Sequence, residues 1–240
     1  MRLSAPLYRL KRQARVTARA KSIPLNQALN AIAKAEGFSS WSLLSAKMSK
    51  SEPGARLLEH FSPGDLVLLA ARPGHGKTLM ALELIVQAIK SRRRGSFFTL
   101  EYNEIDLIDR LKAIGTDSSG LEARFLFDSS DSICASYIKS RLDFAERGDV
   151  VVIDYLQLLD QKRGNPELSV QLAELHSFAA DTGVIFIFIS QVDRAFEMSG
   201  RSYPSLKDIR MANPFDLKVF GQICFVHDGE IKLEPTDEVA

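Results

Sequence analysis

The sequence predicts an α/β fold with a mostly parallel sheet, preceded by a small helical module. From Arg56 onward, short apolar segments alternate with segments of helical periodicity, which is the pattern of a parallel α/β sheet. Three of the apolar segments end in a polar residue, as expected where the carboxyl ends of strands face a ligand. The first fifty residues show helix-like patterns. We therefore expect a helical module over residues 1–52 and an α/β domain over residues 56–235.

Composition and length indicate an ordinary globular protein. The chain has 240 residues, of which 45% are hydrophobic and 25% charged, enough for one α/β domain and a small appendage. The longest apolar runs, such as Val184–Ile189, have the length of a strand and cannot span a bilayer. The first residues lack the apolar core of a secretion signal, and Cys134 and Cys224 lack metal-ligand spacing. These features predict a cytoplasmic protein with reduced cysteines and no membrane partner.

Helices are expected throughout the N-terminal module. Arg9–Ala20 consists of good helix formers, and a second apolar periodicity starts near Leu25 and stops at Gly37. A third, short helix would contain Trp41. We interpret the aromatic residues of this segment as core rather than as a ligand site.

The N-terminal module is strongly basic. Residues 1–50 contain ten Lys or Arg residues against one acid, Glu36, although the whole chain has a net charge of only +1. Arg12, Arg15 and Arg19 belong to the first predicted helix. Clustered basic residues supply sequence-independent affinity for nucleic acid, so these three are candidate DNA contacts. The alternatives are a solvated helix face or a surface that docks onto an acidic protein.

The elements of the α/β domain follow one another at short intervals. An apolar strand over Asp65–Ala70 is followed by a loop and by a helix that starts near Leu79. Further strands are expected over residues 96–101, 124–127, 149–154 and 184–191, and helices over residues 105–114, 132–147 and 168–180.

Residues 71–78 read Ala-Arg-Pro-Gly-His-Gly-Lys-Thr, between the first strand and its helix. Apart from Ala71 at the first position, this matches the phosphate-binding loop G-x-x-x-x-G-K-[ST]. Its glycines permit positive φ, so backbone N–H groups can surround phosphate oxygens at the helix N-terminus. The lysine would bind the β- and γ-phosphates, and the threonine hydroxyl would ligate Mg²⁺. The residues predicted to bind ATP are Arg72, Pro73, Gly74, His75, Gly76, Lys77 and Thr78.

One residue of this loop has two interpretations. His75 lies inside the loop, where its side chain could contact nucleotide. We favour a spacer role, in which only its backbone N–H serves the phosphate.

Polar residues at three strand ends complete the predicted site. Asp154 ends an apolar run, as does the acid that supports Mg²⁺ in phosphate-loop enzymes. Glu101 could orient or deprotonate the water that attacks the γ-phosphate, or it could be a solvated acid at a strand end. Gln191 could sense the γ-phosphate through its amide, or it could be a polar residue at the start of a loop.

Five ordered motifs together resemble the RecA-type ATPase domain of DnaB-like replicative helicases. They are residues 71–78, 98–101, 152–159, 189–194 and 203–210, and the resemblance extends over roughly residues 56–228. It implies a three-layer RecA-like domain that hydrolyses ATP with Mg²⁺. Thr78 and Asp154 would then hold the metal, and Glu101 would be the catalytic carboxylate. Gln191 would be the catalytic-site residue that couples the γ-phosphate to loops that bind single-stranded DNA, and the chain would assemble as a hexamer.

Three departures from that family concern assembly and DNA. The family's last strands carry a basic hairpin that supplies an arginine finger to the neighbouring subunit, but residues 225–233 contain acids instead. Arg194 or Arg210 could replace that finger or contact DNA. The family's helical collar is replaced by the basic module, and residues 211–215 differ from the family's usual continuation.

These departures support a second interpretation, a nucleotide-gated regulatory or assembly protein with little or no unwinding activity. A third class, a small-molecule kinase with the same loop, would need an acceptor-binding lid for which we find no insertion.

Overall fold

In a computed structural model, the chain forms two compact units, Met1–Pro53 and Gly54–Ala240. In the described part, no helix is long and apolar enough to cross a bilayer. Residues 49–52, residues 228–229 and the divergent segment at residues 211–215 lie outside the described residues. The structure describes residues 3–5, 7–44, 53–116, 121, 123–162, 164–198, 201, 203–210, 216–227 and 230–236.

The N-terminal unit contains helices α1 (Leu7–Lys21) and α2 (Leu25–Ala35) and a helical turn at residues 41–44. Its buried side chains are small or aliphatic: Leu10, Ala14, Ala28, Ala33 and Leu44. Trp41 is only half-buried, so Leu44 rather than the tryptophan provides the core of the last turn.

The second unit is built on a seven-stranded sheet in the order β3-β2-β4-β5-β1-β6-β7. All neighbouring strands are parallel except the last pair, which forms an antiparallel hairpin. The strands are β1 (Leu66–Ala71), β2 (Gly95–Thr99), β3 (Phe125–Asp128), β4 (Val150–Asp154), β5 (Ile185–Gln191), β6 (Gln222–His227) and β7 (Glu230–Pro235). The helices are α3 (Pro53–Leu58), α4 (Lys77–Lys90), α5 (Glu104–Ala113), α6 (Ala135–Arg141), α7 (Leu168–Thr182) and α8 (Ala195–Met198), with 3₁₀ turns at Leu156–Asp160, Leu206–Asp208 and Leu217–Val219.

Two apolar layers enclose the sheet. Alternate residues of each strand face opposite sides, so Leu68 packs with α6 and α7 whereas Leu69 packs with α4 and α5. Strands β1, β4 and β5 are buried on both faces, which is why their sequences are continuously apolar. The predicted three-layer α/β fold with a mostly parallel sheet is confirmed.

Two element boundaries differ from the prediction. Strand β2 ends at Thr99, so Glu101 lies two residues beyond the strand rather than at its tip. Helix α6 covers only Ala135–Arg141 of the predicted residues 132–147. The chain turns before β4 instead, because the buried Asp149 carboxylate accepts hydrogen bonds from the N–H groups of Glu146 and Arg94.

Candidate functional site

Three strand ends present polar side chains on the face of the sheet that packs against α4. Phe97, Val152 and Ile189 belong to the α4 side of the core. Side chains alternate along a strand, so the residues two positions later point to the same side. Those residues are Thr99, Asp154 and Gln191, at the carboxyl ends of β2, β4 and β5.

The predicted phosphate-binding loop connects β1 to α4. Gly74 and Gly76 have φ angles of 79° and 86°, which side-chain-bearing residues adopt only with strain. Because a Cβ at Gly74 would meet no atom within 4 Å, the backbone conformation and not crowding requires glycine there. The N–H of Met80 donates to the Gly76 carbonyl at 2.9 Å, so α4 begins directly at the loop. Its N-terminus therefore faces the space that an anion would fill.

His75 makes contacts that the sequence did not predict. Its N–H donates to the Arg72 carbonyl at 3.1 Å and closes a turn. This N–H therefore already has an acceptor within the loop, whereas the predicted spacer role assigned it to a phosphate. Its imidazole is parallel to that of His227 at the end of β6, with ring centroids 5.5 Å apart. Phe196 and Tyr203 lie edge-on to His227. The loop is thus packed against the last hairpin of the same chain.

Lys77, Thr78 and Asp154 form the centre of the site. The Thr78 hydroxyl donates to Asp154 Oδ2 at 3.0 Å, and Lys77 Nζ lies 3.9 Å from Oδ1. The Asp154 side chain is 0% exposed. Burial raises the pKa of this carboxyl to about 6, although the Lys77 ammonium opposes the rise. The ionised carboxylate is therefore costly in this site and would be stabilised by a further cation.

The oxygen atoms at this centre fit a hard divalent cation. Asp154 Oδ1 is buried and, among the described residues, accepts no hydrogen bond. It adjoins the Thr78 hydroxyl, and magnesium sites in nucleotide-binding proteins use carboxylate and hydroxyl oxygens of this kind. Thr78 and Asp154 are the residues of this chain that would hold Mg²⁺.

Glu101 lies near this centre, although it is not on a strand. Its N–H donates to the buried Thr99 hydroxyl oxygen at 3.0 Å, which fixes the turn at the end of β2. The Glu101 side chain is exposed, and its charge adds to the effect of burial in raising the pKa of Asp154. The two interpretations of Glu101, a solvated acid and a catalytic carboxylate, are therefore compatible. An exposed carboxylate close to Asp154 is accessible to water, as a carboxylate that activates water must be.

A small cavity connects the loop to the end of β5. Residues 192 and 209 pair as an antiparallel bridge, and the N–H of Arg210 donates to the Gln191 carbonyl at 2.7 Å. This returning segment brings Arg210 beside Gln191 and Arg194. The cavity has a volume of about 180 Å³ and is lined by Pro73, Gln191, Val192, Asp193, Arg194 and Arg210.

The family profile described as "DnaB-like helicase C terminal domain" matches residues 55–124 and 118–219 of this chain. The chain belongs to that family. Among curated relatives, the "Probable plasmid replicative DNA helicase" of Chlamydia muridarum is 29% identical over 177 residues, covering 61% of this chain and 39% of that protein. The "Replicative DNA helicase DnaB" of Rickettsia bellii is 30% identical over 192 residues, covering 62% of this chain and 38% of that protein. The chain thus spans about two fifths of the length of these relatives.

A solved structure described as "The Structure Of A DnaB-Like Replicative Helicase And Its Interactions With Primase" is similar in fold. Its TM-score is 0.58, with 20% identity over 90% of this chain and 64% of that one. At this identity the likeness concerns the fold alone. The DnaB-like fold places the predicted loop residues, Asp154, Glu101 and Gln191 at one edge of the sheet. Arg12, Arg15 and Arg19 lie in the other compact unit, where each is exposed.

Sequence reasoning missed three side chains near this DnaB-like site. His227 contacts the loop, and Tyr102 and Arg110 lie close to Thr78 and Asp154. Tyr102 directly follows the predicted acid, and that adjacency is the one signal that could have identified it. His227 and Arg110 occupy positions with no distinctive sequence pattern.

Proposed function

We propose that this chain binds and hydrolyses ATP with Mg²⁺ and acts on or near single-stranded DNA. The observation that carries the proposal is the convergence of Lys77, Thr78 and Asp154 behind a glycine loop with two positive φ angles. The family match supports the ATPase assignment.

Each residue of the site has a proposed role. Backbone N–H groups of the loop and of the first turn of α4 bind the phosphates, except at Pro73, which has no N–H, and at His75, whose N–H donates to the Arg72 carbonyl. Lys77 pairs with the negative charge of the phosphates. Thr78 and Asp154 hold Mg²⁺, which when bound neutralises charge on the transferred phosphate. Glu101 accepts a proton from the attacking water or orients it. Gln191 reports the state of the γ-phosphate to the segment that carries Arg210, because the two backbones are hydrogen-bonded.

Two arginines of the cavity are proposed DNA or trans contacts. Neither the Arg194 nor the Arg210 guanidinium forms an ion pair with another described residue, and both side chains are exposed. They flank a space that adjoins both Pro73 of the loop and Gln191. A phosphate of DNA or a nucleotide on a neighbouring copy would find two cations there.

The exposed face of α1 is the proposed second contact with DNA. Leu10 and Ala14 are buried, whereas Arg12, Arg15 and Arg19 are exposed. At 3.6 residues per turn, the three arginines fall within about 60° of one another, on the side of the helix away from its buried residues. Such a face can contact successive phosphates without reading sequence.

DNA-stimulated ATP turnover tests the proposed function. We expect the wild type to hydrolyse ATP faster with single-stranded DNA. Lys77→Ala should lose nucleotide binding, whereas Glu101→Gln should retain binding and lose turnover. Turnover that survives Glu101→Gln would show that Glu101 is not the catalytic carboxylate. An absence of nucleotide binding in the wild type would refute the proposal as a whole.

A nucleotide-gated regulatory or assembly protein with little or no unwinding is the second candidate. It is favoured by the last hairpin, whose His227 packs on the loop of the same chain. Lys232 of this hairpin is paired with Glu234 at 2.6 Å and is not available as a trans cation without losing that contact. Light scattering with and without ATP and Mg²⁺ would show whether a hexamer forms. Strand displacement on a forked duplex separates the two candidates, since only a motor displaces the strand.

A further inference from the structure

Arg210 is held through both polar groups of its backbone. Its N–H donates to the Gln191 carbonyl at 2.7 Å, and its own carbonyl accepts from Gln157 Nε2 at 3.1 Å. The preceding residue, Ile209, is buried and pairs with the buried Val192. An arginine held in this way moves only its side chain, so its backbone stays beside the cavity that the arginine lines.

Gln157 belongs to a turn that the core fixes in place. The 3₁₀ turn Leu156–Asp160 begins two residues after the end of β4. Leu156 and Leu158 are buried and anchor this turn, whereas Gln157 between them is only half-buried. The amide of Gln157 therefore reaches the Arg210 carbonyl from a fixed backbone.

This contact needs a hydrogen-bond donor at position 157. A backbone carbonyl can only accept, so it selects the amide nitrogen of Gln157. A thioether side chain of similar length would fill the same space without donating. Through Gln157 and Gln191, the backbone of Arg210 is tied to the two strand ends that carry the predicted metal ligand Asp154 and the predicted γ-phosphate sensor.

The cavity beside Arg210 has an excess of positive charge. Arg194 and Arg210 line it and are exposed, against one carboxylate, that of Asp193, which accepts a hydrogen bond from the Ala195 N–H at 2.8 Å. A phosphate group that enters this space would meet a guanidinium whose backbone is already ordered. Fixing that backbone beforehand lowers the entropic cost of the contact.

We propose that Gln157 is a positioning residue that holds Arg210 for contact with a phosphate group. Two sources of phosphate fit this chemistry, the backbone of single-stranded DNA and a nucleotide on a neighbouring copy of the chain. The inference rests on the proposed function, in which Arg210 makes a DNA or trans contact. Gln157 itself touches no phosphate and acts through Arg210.

The first experiment measures binding of a fluorescein-labelled oligo-dT at increasing salt, with Mg²⁺ and a non-hydrolysable ATP analogue present. Gln157→Met removes the amide and changes no charge, yet the log–log slope should flatten by about 0.7, the value for one phosphate contact on a single strand. The affinity should fall about fivefold, as expected for the loss of one hydrogen bond. Arg210→Gln should flatten the slope equally, and the double variant should add nothing further, because both changes break one chain of contacts.

Gln161→Met is the matched control. It removes the same amide from an exposed residue at the end of the same turn, so its affinity and its slope should equal those of the wild type. A weaker affinity of Gln157→Met with an unchanged slope would indicate a structural role alone and would overturn the positioning role.

The second experiment measures ATP turnover without DNA at increasing protein concentration. If the phosphate belongs to a neighbour's nucleotide, Gln157→Met should lose the rise of turnover with concentration and keep the DNA affinity and slope of the wild type. Wild-type behaviour of Gln157→Met in both experiments would overturn the positioning role. A wild type that neither binds oligo-dT nor hydrolyses ATP would instead refute the proposed function.

Discussion

Asp154→Asn should stabilise the nucleotide-free protein, and the gain should grow with pH. The carboxyl is buried, with an ordinary pKa of 3.8 that rises to about 6 in the fold. Between these two values the folded protein binds more protons than the unfolded chain. The contribution of Asp154 to stability is therefore present at acidic pH and is lost as pH rises through this window. Asparagine keeps the shape of the neutral side chain and removes the ionisation.

The size of the effect follows from the pKa difference. A shift of roughly two units corresponds to about 3 kcal/mol once both states are ionised, at 1.36 kcal/mol per unit. At pH 8 the variant should be more stable than the wild type by about 3 kcal/mol, and at pH 5 by about 1.5 kcal/mol. With ATP and Mg²⁺ the order should reverse. A ligand at about 1,000 times its Kd stabilises the protein that binds it by about 4.1 kcal/mol, which exceeds the gain of about 3 kcal/mol in the variant, and the variant has lost a metal ligand.

Urea unfolding at pH 5 and pH 8, with and without Mg²⁺ and ATP, measures these differences. Asp149→Asn is the control, because Asp149 is also buried but accepts backbone hydrogen bonds at 2.8 and 2.9 Å. That substitution should destabilise the protein at both pH values. If Asp154→Asn were less stable than the wild type at pH 8 without ligand, burial of the ionised Asp154 carboxylate would not destabilise the fold, and the reasoning would be refuted.

Two further predictions concern Glu101 and the basic helix. Thr99→Val removes the oxygen that accepts a hydrogen bond from the Glu101 N–H, so the turnover of ATP should fall about fivefold while the affinity for nucleotide stays unchanged. Thr182→Val is the control, because it removes a hydroxyl from α7 and should leave turnover unchanged. Replacing Arg12, Arg15 and Arg19 together by Gln should flatten the salt dependence of single-stranded DNA binding, with the log–log slope falling by about 0.7 per lost phosphate contact. An unchanged slope would assign the arginine face to another partner.

The sequence predicted the strands best where an apolar run meets a charged or turn-forming residue. Strands β1, β4 and β5 begin and end within one residue of the prediction because they are buried on both faces. The end of β2 was misplaced because Leu100 continues the apolar pattern, whereas the Thr99 hydroxyl accepts a hydrogen bond from the Glu101 N–H and the strand ends at Thr99. Local hydrogen bonds of this kind leave no periodic signal.

The side-chain contacts around the site depend on tertiary structure and could not be predicted from the spacing of residues along the sequence. The stacking of Arg110 on Tyr102 joins a helix to the segment before it, and their sequence separation does not distinguish them from other Arg–Tyr pairs. The contact of His75 with His227 joins residues that only the parallel pairing of β1 with β6 brings together. The loop and the strand ends were predictable because their chemistry is fixed by residue type and order.

The charges around Asp154 favour a form of the proposed nucleotide-binding site that one chain completes by itself. Lys77 and Arg110 both act on Asp154 from within the chain, and in the proposed site Thr78 and Asp154 would take Mg²⁺ from solution. The last hairpin packs on the loop through His227, and its Lys232 is paired with Glu234. We therefore expect ATP to bind without a neighbouring subunit. A neighbour would matter for the rate of hydrolysis, where a trans cation stabilises charge that develops in the transition state.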